Sequence, residues 1–277
     1  MNMHTRQALP AQREPVFAFH CSGSYGQQWQ KLAQHLGTDF LVHGVNLFGT
    51  RVTGHWTGER PFTLADEAKP TFAAIDALAA PVHLVGHSYG GALALYVAVH
   101  RIGRVASLTL YEPSAFHLLR QMGPNGRAAL EEITALAGVA GNGIVTGDYV
   151  RAAAVFVDYW NGPGAWVAMK PEVRASVLAW FAKAPLDFQA ALGDQTPLAA
   201  YRHLHCPVMI MRGEHALTPS RIISEKLASL VPPSRLVVVV PSAGHMGPLT
   251  HAGQVNAVMA THLARACATT HVTVRAA

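Results

Sequence analysis

Leu84-Val85-Gly86-His87-Ser88-Tyr89-Gly90-Gly91 is the stretch whose reading decides the fold. The apolar run Pro81-Val82-His83-Leu84-Val85 leads into it and has the length of one buried strand. Ala92-Leu93-Ala94-Leu95-Tyr96-Val97-Ala98-Val99 follows without a breaker and reads as a helix. Between them, Gly86-His87-Ser88-Tyr89-Gly90 fits G-x-S-x-G. A strand that turns sharply into a helix lifts the middle serine onto a strained corner, and glycines flank it because side chains there would collide with backbone. The helix N-terminus aims free N–H groups and a partial positive charge at the place where an oxyanion would form. The five residues alone also fit an ordinary small-residue turn, so a nucleophilic Ser88 requires a base, an acid and oxyanion donors from elsewhere.

Working outward, Val16-Phe17-Ala18-Phe19 is a short strand that empties into the small-residue loop His20 to Gly26. Trp29, Leu32, Ala33 and Leu36 have helical spacing, Phe40 to Val45 reads as a strand, and Thr63 caps a helix with Asp66 and Glu67 in its first turn. Val105 to Tyr111 is the strand after the elbow helix and stops at Glu112-Pro113. Strands alternating with helices imply βαβ units and a parallel sheet. The alternation lapses from Ser114 to Ala200, a helical, Ala- and aromatic-rich block interrupted at Asn161-Gly162-Pro163-Gly164. It resumes with Pro207 to Met211 and Leu236 to Val240. The chain therefore divides into an α/β core, residues 1–113 and 201–277, and a helical cap insertion, residues 114–200.

At 277 residues the chain can bury a large single core; half its residues are hydrophobic and 13% are charged, which excludes a disordered protein. The formal charge of +5 comes from scattered Arg and Lys without a basic run, which argues against a nucleic-acid partner. Cys21, Cys206 and Cys267 cannot all pair, and no C-x-x-C is present, so a reducing compartment is expected. Met1 to Pro15 lacks the apolar centre of a secretory signal, and no apolar run approaches a membrane span. These readings lead to a cytoplasmic protein with no membrane partner. His203, His205 and Cys206 are metal-capable, but without a second cluster they give no zinc site. No phosphate-binding glycine motif appears and no cofactor is implied.

The candidate base is His245, in Gly244-His245-Met246-Gly247-Pro248 beyond the last strand, free to reach across the carboxyl edge of the sheet; by itself the position also fits an ordinary loop histidine. Together with His20-Cys21-Ser22-Gly23-Ser24, the elbow and Arg212-Gly213-Glu214, this loop makes the chain resemble the cap-bearing serine hydrolases of the α/β-hydrolase family. The resemblance runs from Val16 to a helix ending near Ala266. It implies a mostly parallel eight-stranded sheet with helices on both faces, Ser88 as nucleophile, His245 as base and a helical cap over the site. By position the oxyanion donors are the backbone N–H groups of Tyr89 and Ser22, with Cys21 standing where Gly is usual.

The acid departs from the family pattern. Ala216 occupies the usual Asp position in Gly213-Glu214-His215-Ala216-Leu217, and a methyl cannot orient imidazole. Glu112, at the carboxyl end of a strand, is favoured because a strand end holds geometry better than a loop; Glu214 is the alternative. The expected activity is hydrolysis of carboxylic esters or related small acyl compounds through an acyl-enzyme. C–C bond hydrolases, lactonases, thioesterases, amidases and perhydrolases share the machinery, and a non-catalytic binding protein on the same scaffold is the reading that Ala216 and Cys21 favour. The cap aromatics Phe156, Tyr159, Trp160, Trp166, Trp180 and Phe181 serve as cap core or line an apolar pocket, Asp158 is a candidate polar contact from the cap, and a homo-oligomer stays open.

Overall fold

The computed structural model describes residues 13–49, 52–231 and 236–275. Most of the N-terminal segment read above as lacking a signal lies outside them. Six strands form one sheet in the order β2-β1-β3-β4-β5-β6, every neighbouring pair parallel. They are β1 (Glu14–Phe19), β2 (Phe40–Val45), β3 (Val82–His87), β4 (Val105–Tyr111), β5 (Val208–Gly213) and β6 (Leu236–Val240). The eight strands implied by resemblance are thus six among the described residues, where only Arg13 precedes β1.

The sequence sorts its side chains by the two-residue period of a strand. Phe17 and Phe19 of β1 point into one layer and Val16 and Ala18 into the other; Val208 and Ile210 of β5 divide from Met209 and Met211 in the same way. On the second layer lie α1 (Gln30–Leu36) and the long α10 (Ala252–Arg275), whose Val255, Met259 and Leu263 recur every four residues and are buried. The first layer holds α2 (Leu64–Asp76), α3 (Tyr89–His100) and α9 (Thr218–Leu230). Thr63 begins α2 with the expected capping box to Asp66. With helices on both faces, every residue of the central β3 is buried, which is why it reads as a continuous apolar run. Each fully buried Leu or Val there contributes about 1.5–3 kcal/mol.

Between β4 and β5 come α4 (Gly123–Thr146), α5 (Tyr149–Asn161), α6 (Ala165–Ala168), α7 (Pro171–Trp180) and α8 (Ala184–Gly193), with short 3-10 turns around them. Trp160, Trp180, Phe181 and Phe188 of this insertion join the same apolar cluster as Phe19, Leu93 and Tyr89 of the core. Contrary to the sequence reading, α4 is long and apolar enough to cross a membrane. Its glycines and scattered polar residues hide that in the sequence, while Ala129, Ile133, Leu136 and Ala140 form a buried stripe within the fold.

Candidate active site

Ser88, Glu112, Ser22 and His245 all sit beyond the carboxyl ends of strands, where open parallel sheets present their ligand sites. Ser88 follows β3 with φ +56°, a left-handed conformation rarely adopted by a non-glycine residue, which marks the strained elbow. The elbow closes only because Gly90 lacks a side chain: a Cβ there would come within 2.4 Å of the Phe19 and His20 carbonyl oxygens. Ser88 Oγ donates to His245 Nε2 at 2.8 Å, and His245 Nδ1–H donates to Glu112 Oε2 at 2.8 Å. All three residues are buried. The second oxygen of Glu112 accepts the Gly213 N–H at 2.9 Å, so the carboxylate is held from both sides.

Glu112 itself has φ +42°, a second strained residue at a strand end. Glu214, the alternative acid, is turned elsewhere: its Oε2 accepts the Ser242 N–H at 2.8 Å in an exposed turn. The vacancy at Ala216 is thus matched by a carboxylate from β4.

The loop carrying His245 is fixed by three contacts. Tyr111 OH donates to the Gly244 carbonyl at 2.8 Å. His87 Nε2–H donates to the His245 carbonyl at 2.8 Å, while its Nδ1 accepts from the Gln28 amide at 3.1 Å. The Trp160 indole, from α5, stacks on the His245 ring with centroids 4.1 Å apart. Burial, with neighbouring His245 adding to it, pushes His87 well below the ordinary histidine range, so it stays neutral and its two nitrogens keep these separate roles.

Gln28 extends the line to the first loop, where its Oε1 accepts the Cys21 N–H at 3.1 Å. His20 steadies the same loop, its Nδ1–H donating to the Cys21 carbonyl at 2.8 Å and its Nε2 accepting the Leu47 N–H at 3.3 Å. Burial pushes the His20 pKa down to about 4. Cys21, in the usual Gly position, is accommodated as a buried thiol whose pKa burial pushes up to about 12. Tyr89 is the first residue of α3, so its N–H has no partner within the helix. The Ser22 N–H makes no hydrogen bond among the described residues, and its hydroxyl donates to Asp187 Oδ2 at 2.6 Å.

These groups floor a cavity of about 510 Å3, within the size range of small-molecule sites. Its walls are largely apolar, led by Phe116, Phe156, Trp160, Val177, Trp180 and Phe188. Three of the cap aromatics named from the sequence, Tyr159, Trp166 and Phe181, do not line it, and Phe181 is wholly buried in the apolar core. Asp158 is not a site residue either: its two oxygens accept the Gly164 and Trp166 N–H groups and cap the short α6. Ser114, unremarked in the sequence, lies 3.1 Å from Ser88 Oγ. As for metal-capable groups, Glu14, His83 and Cys267 bring three donor atoms within 4.8 Å of one another near the amino ends of β1 and β3, far along the strands from Ser88.

An elbow serine joined to a histidine and a strand-end carboxylate beneath a helical cap defines a class, and the chain belongs to it: residues 16–258 match the model of the alpha/beta hydrolase family. It is an enzyme of the hydrolase class. Over 256 residues it is 30% identical to a pimeloyl-acyl-carrier-protein methyl ester esterase of Neisseria meningitidis, covering 89% of this chain and 92% of that one. It is 26% identical to Lipase LipV of Mycobacterium tuberculosis over 62% of this chain, a match spanning 59% of the lipase's length. Among solved structures, a Pseudomonas aeruginosa hydrolase superposes with TM-score 0.70 at 21% identity, covering 91% of this chain and 90% of that one. The enol-lactonase of Burkholderia xenovorans does so with TM-score 0.69 at 16% identity, covering 91% and 92%.

Proposed function

We propose that the protein is a serine hydrolase of carboxylic esters with neutral, apolar acyl or aryl groups. The observation that carries this is the unbroken line of hydrogen bonds Ser88–His245–Glu112 opening into an apolar cavity. Ser88 Oγ attacks the ester carbonyl carbon as His245 Nε2 takes its proton, and Glu112 steadies the imidazolium. The N–H groups of Tyr89 and Ser22 receive the oxyanion; one such donor is worth about 3 kcal/mol of transition-state stabilisation. The intermediate collapses, His245 protonates the departing alcohol, and water activated by the same histidine cleaves the acyl-enzyme.

Neutrality of the substrate follows from the wall. Glu172 and Asp187 are its carboxylate residues, and no Lys or Arg lines it among the described residues, so a carboxylate-bearing chain finds no partner. The three free thiols support a reducing, cytoplasmic setting.

The test is fluorophosphonate labelling with peptide mapping, followed by a panel of aryl esters of increasing acyl length. Modification at Ser88, turnover of neutral esters and their loss in Ser88→Ala are expected. A folded protein that takes no label at Ser88 overturns the assignment in favour of a binding role.

A further inference from the structure

Where cap meets core, a cluster of charges is buried out of reach of water. Lys183, just before α8, is 4% exposed, and its Nζ donates to Asp187 Oδ1 and to Glu67 Oε2, both at 2.7 Å. The two carboxylates carry further bonds that lead to the site. Asp187 Oδ2 accepts from the Ser22 hydroxyl at 2.6 Å, and Glu67 Oε2 accepts from the Tyr89 hydroxyl at 3.1 Å. Glu67 Oε1 takes the Phe48 N–H at 2.7 Å, and the Lys183 ammonium lies 4.7 Å from the Tyr89 ring centre. The two residues whose side chains end on this cluster are the same two whose backbone N–H groups the proposed mechanism assigns to the oxyanion.

We infer that Lys183, Asp187 and Glu67 are positioning residues that fix the spacing of the two oxyanion donors and make it depend on the seating of the cap. The inference rests on the serine-hydrolase reading above. Two carboxylates and one ammonium carry a formal charge of −1, the wrong sign to stabilise an oxyanion, so the cluster acts through geometry. Its two ends differ. Tyr89 is already held by α3, whereas Ser22 sits in a loop and has its side chain tied to the cap through Asp187. The Ser22 donor is therefore in register only while α8 is seated on the core. A buried ion cluster of this kind adds little stability over apolar residues of the same volume, which fits a role in arrangement.

Ser22→Ala tests the inference with little risk to folding, because it keeps the N–H and leaves the Lys183 pairs intact. On a neutral aryl ester, kcat and the rate of fluorophosphonate labelling should each fall about tenfold with KM within about twofold, part of the cost of losing a whole donor. Ser22→Thr, which restores a hydroxyl, should recover most of that loss. Asp187→Ala should show the same split, and the double variant should be no slower than Asp187→Ala, since each single change already removes the Ser22–Asp187 bond. Wild-type kcat in Ser22→Ala, a loss confined to KM, or losses that multiply in the double variant would each overturn the inference while leaving the serine mechanism standing. Wild-type protein that takes no label at Ser88 overturns that mechanism and the positioning role with it.

Discussion

On one side of Ser88, His245 and Glu112 are held by the core itself: the Gly213 N–H binds the carboxylate, and the Tyr111 hydroxyl and His87 ring bind carbonyls of the histidine loop. On the other side, the Ser22 hydroxyl is held by charged side chains that come from the cap and meet α2 beneath it. On the proposed mechanism, proton transfer is thus built into the sheet, while oxyanion binding is shared between core and cap. From the cap, Trp160 stacks on the imidazole of the first side.

The largest effect should come from the core side. Glu112→Gln is expected to lower kcat by about 10^3 to 10^4, because it removes the charge that orients and stabilises the imidazolium, whereas Glu214→Gln should stay within about twofold. Steady-state ester hydrolysis by the two variants decides it, and a greater loss in Glu214→Gln would reverse the assignment of the acid. Next in size is Gln28→Ala, where the two sides meet. It strips partners from the Cys21 N–H and from His87, and about a tenfold loss in kcat together with about 1–3 kcal/mol of stability is expected in kinetics and urea unfolding. Trp160→Phe should cost about threefold or less if cap packing over His245 is only a roof. A loss larger than that of Ser22→Ala would break the division drawn here.

A further effect, of a different kind, is on stability against pH. His20 and His83, pushed by burial down to about 4, and His87, pushed well down, stay neutral in the folded chain while their unfolded counterparts take protons below about 6.5. Stability should therefore fall as pH drops from 6.5 toward 4, by about 1.4 kcal/mol per unit for each histidine. Asp187 works the other way. Burial raises its pKa to about 6, so the folded state takes its proton before the unfolded one does and regains part of the loss. Thermal unfolding at pH 7 and pH 5 measures the balance, and equal midpoints would show that these rings are not buried neutral.

Much of this arrangement is legible in the sequence, for reasons that are local. The elbow announces itself because the glycines bracketing Ser88 form a short pattern, Gly86 required by contacts within the turn and Gly90 by the backbone of β1's end, and His245 because a Gly-bracketed loop follows the last strand. Glu112 is found through an absence: Ala216 empties the usual place and sends the search to the neighbouring strand end. The buried cluster has no such signal. Lys183 and Glu67 are 116 positions apart, and Lys183 with Asp187 four residues on looks like any solvated helical ion pair. Asp158 misleads for the opposite reason, since an acid among cap aromatics looks functional when it serves only a helix end.

Cys21 lines the same cavity as Ser88, yet its thiol is buried and pushed up to about 12. Sulfur reacts with alkylating agents as thiolate, and at neutral pH this one is almost entirely protonated. The pocket is therefore chemoselective toward oxygen: iodoacetamide should pass by a cysteine that shares a wall with Ser88, and inhibitors built for serine will meet no competing thiolate there.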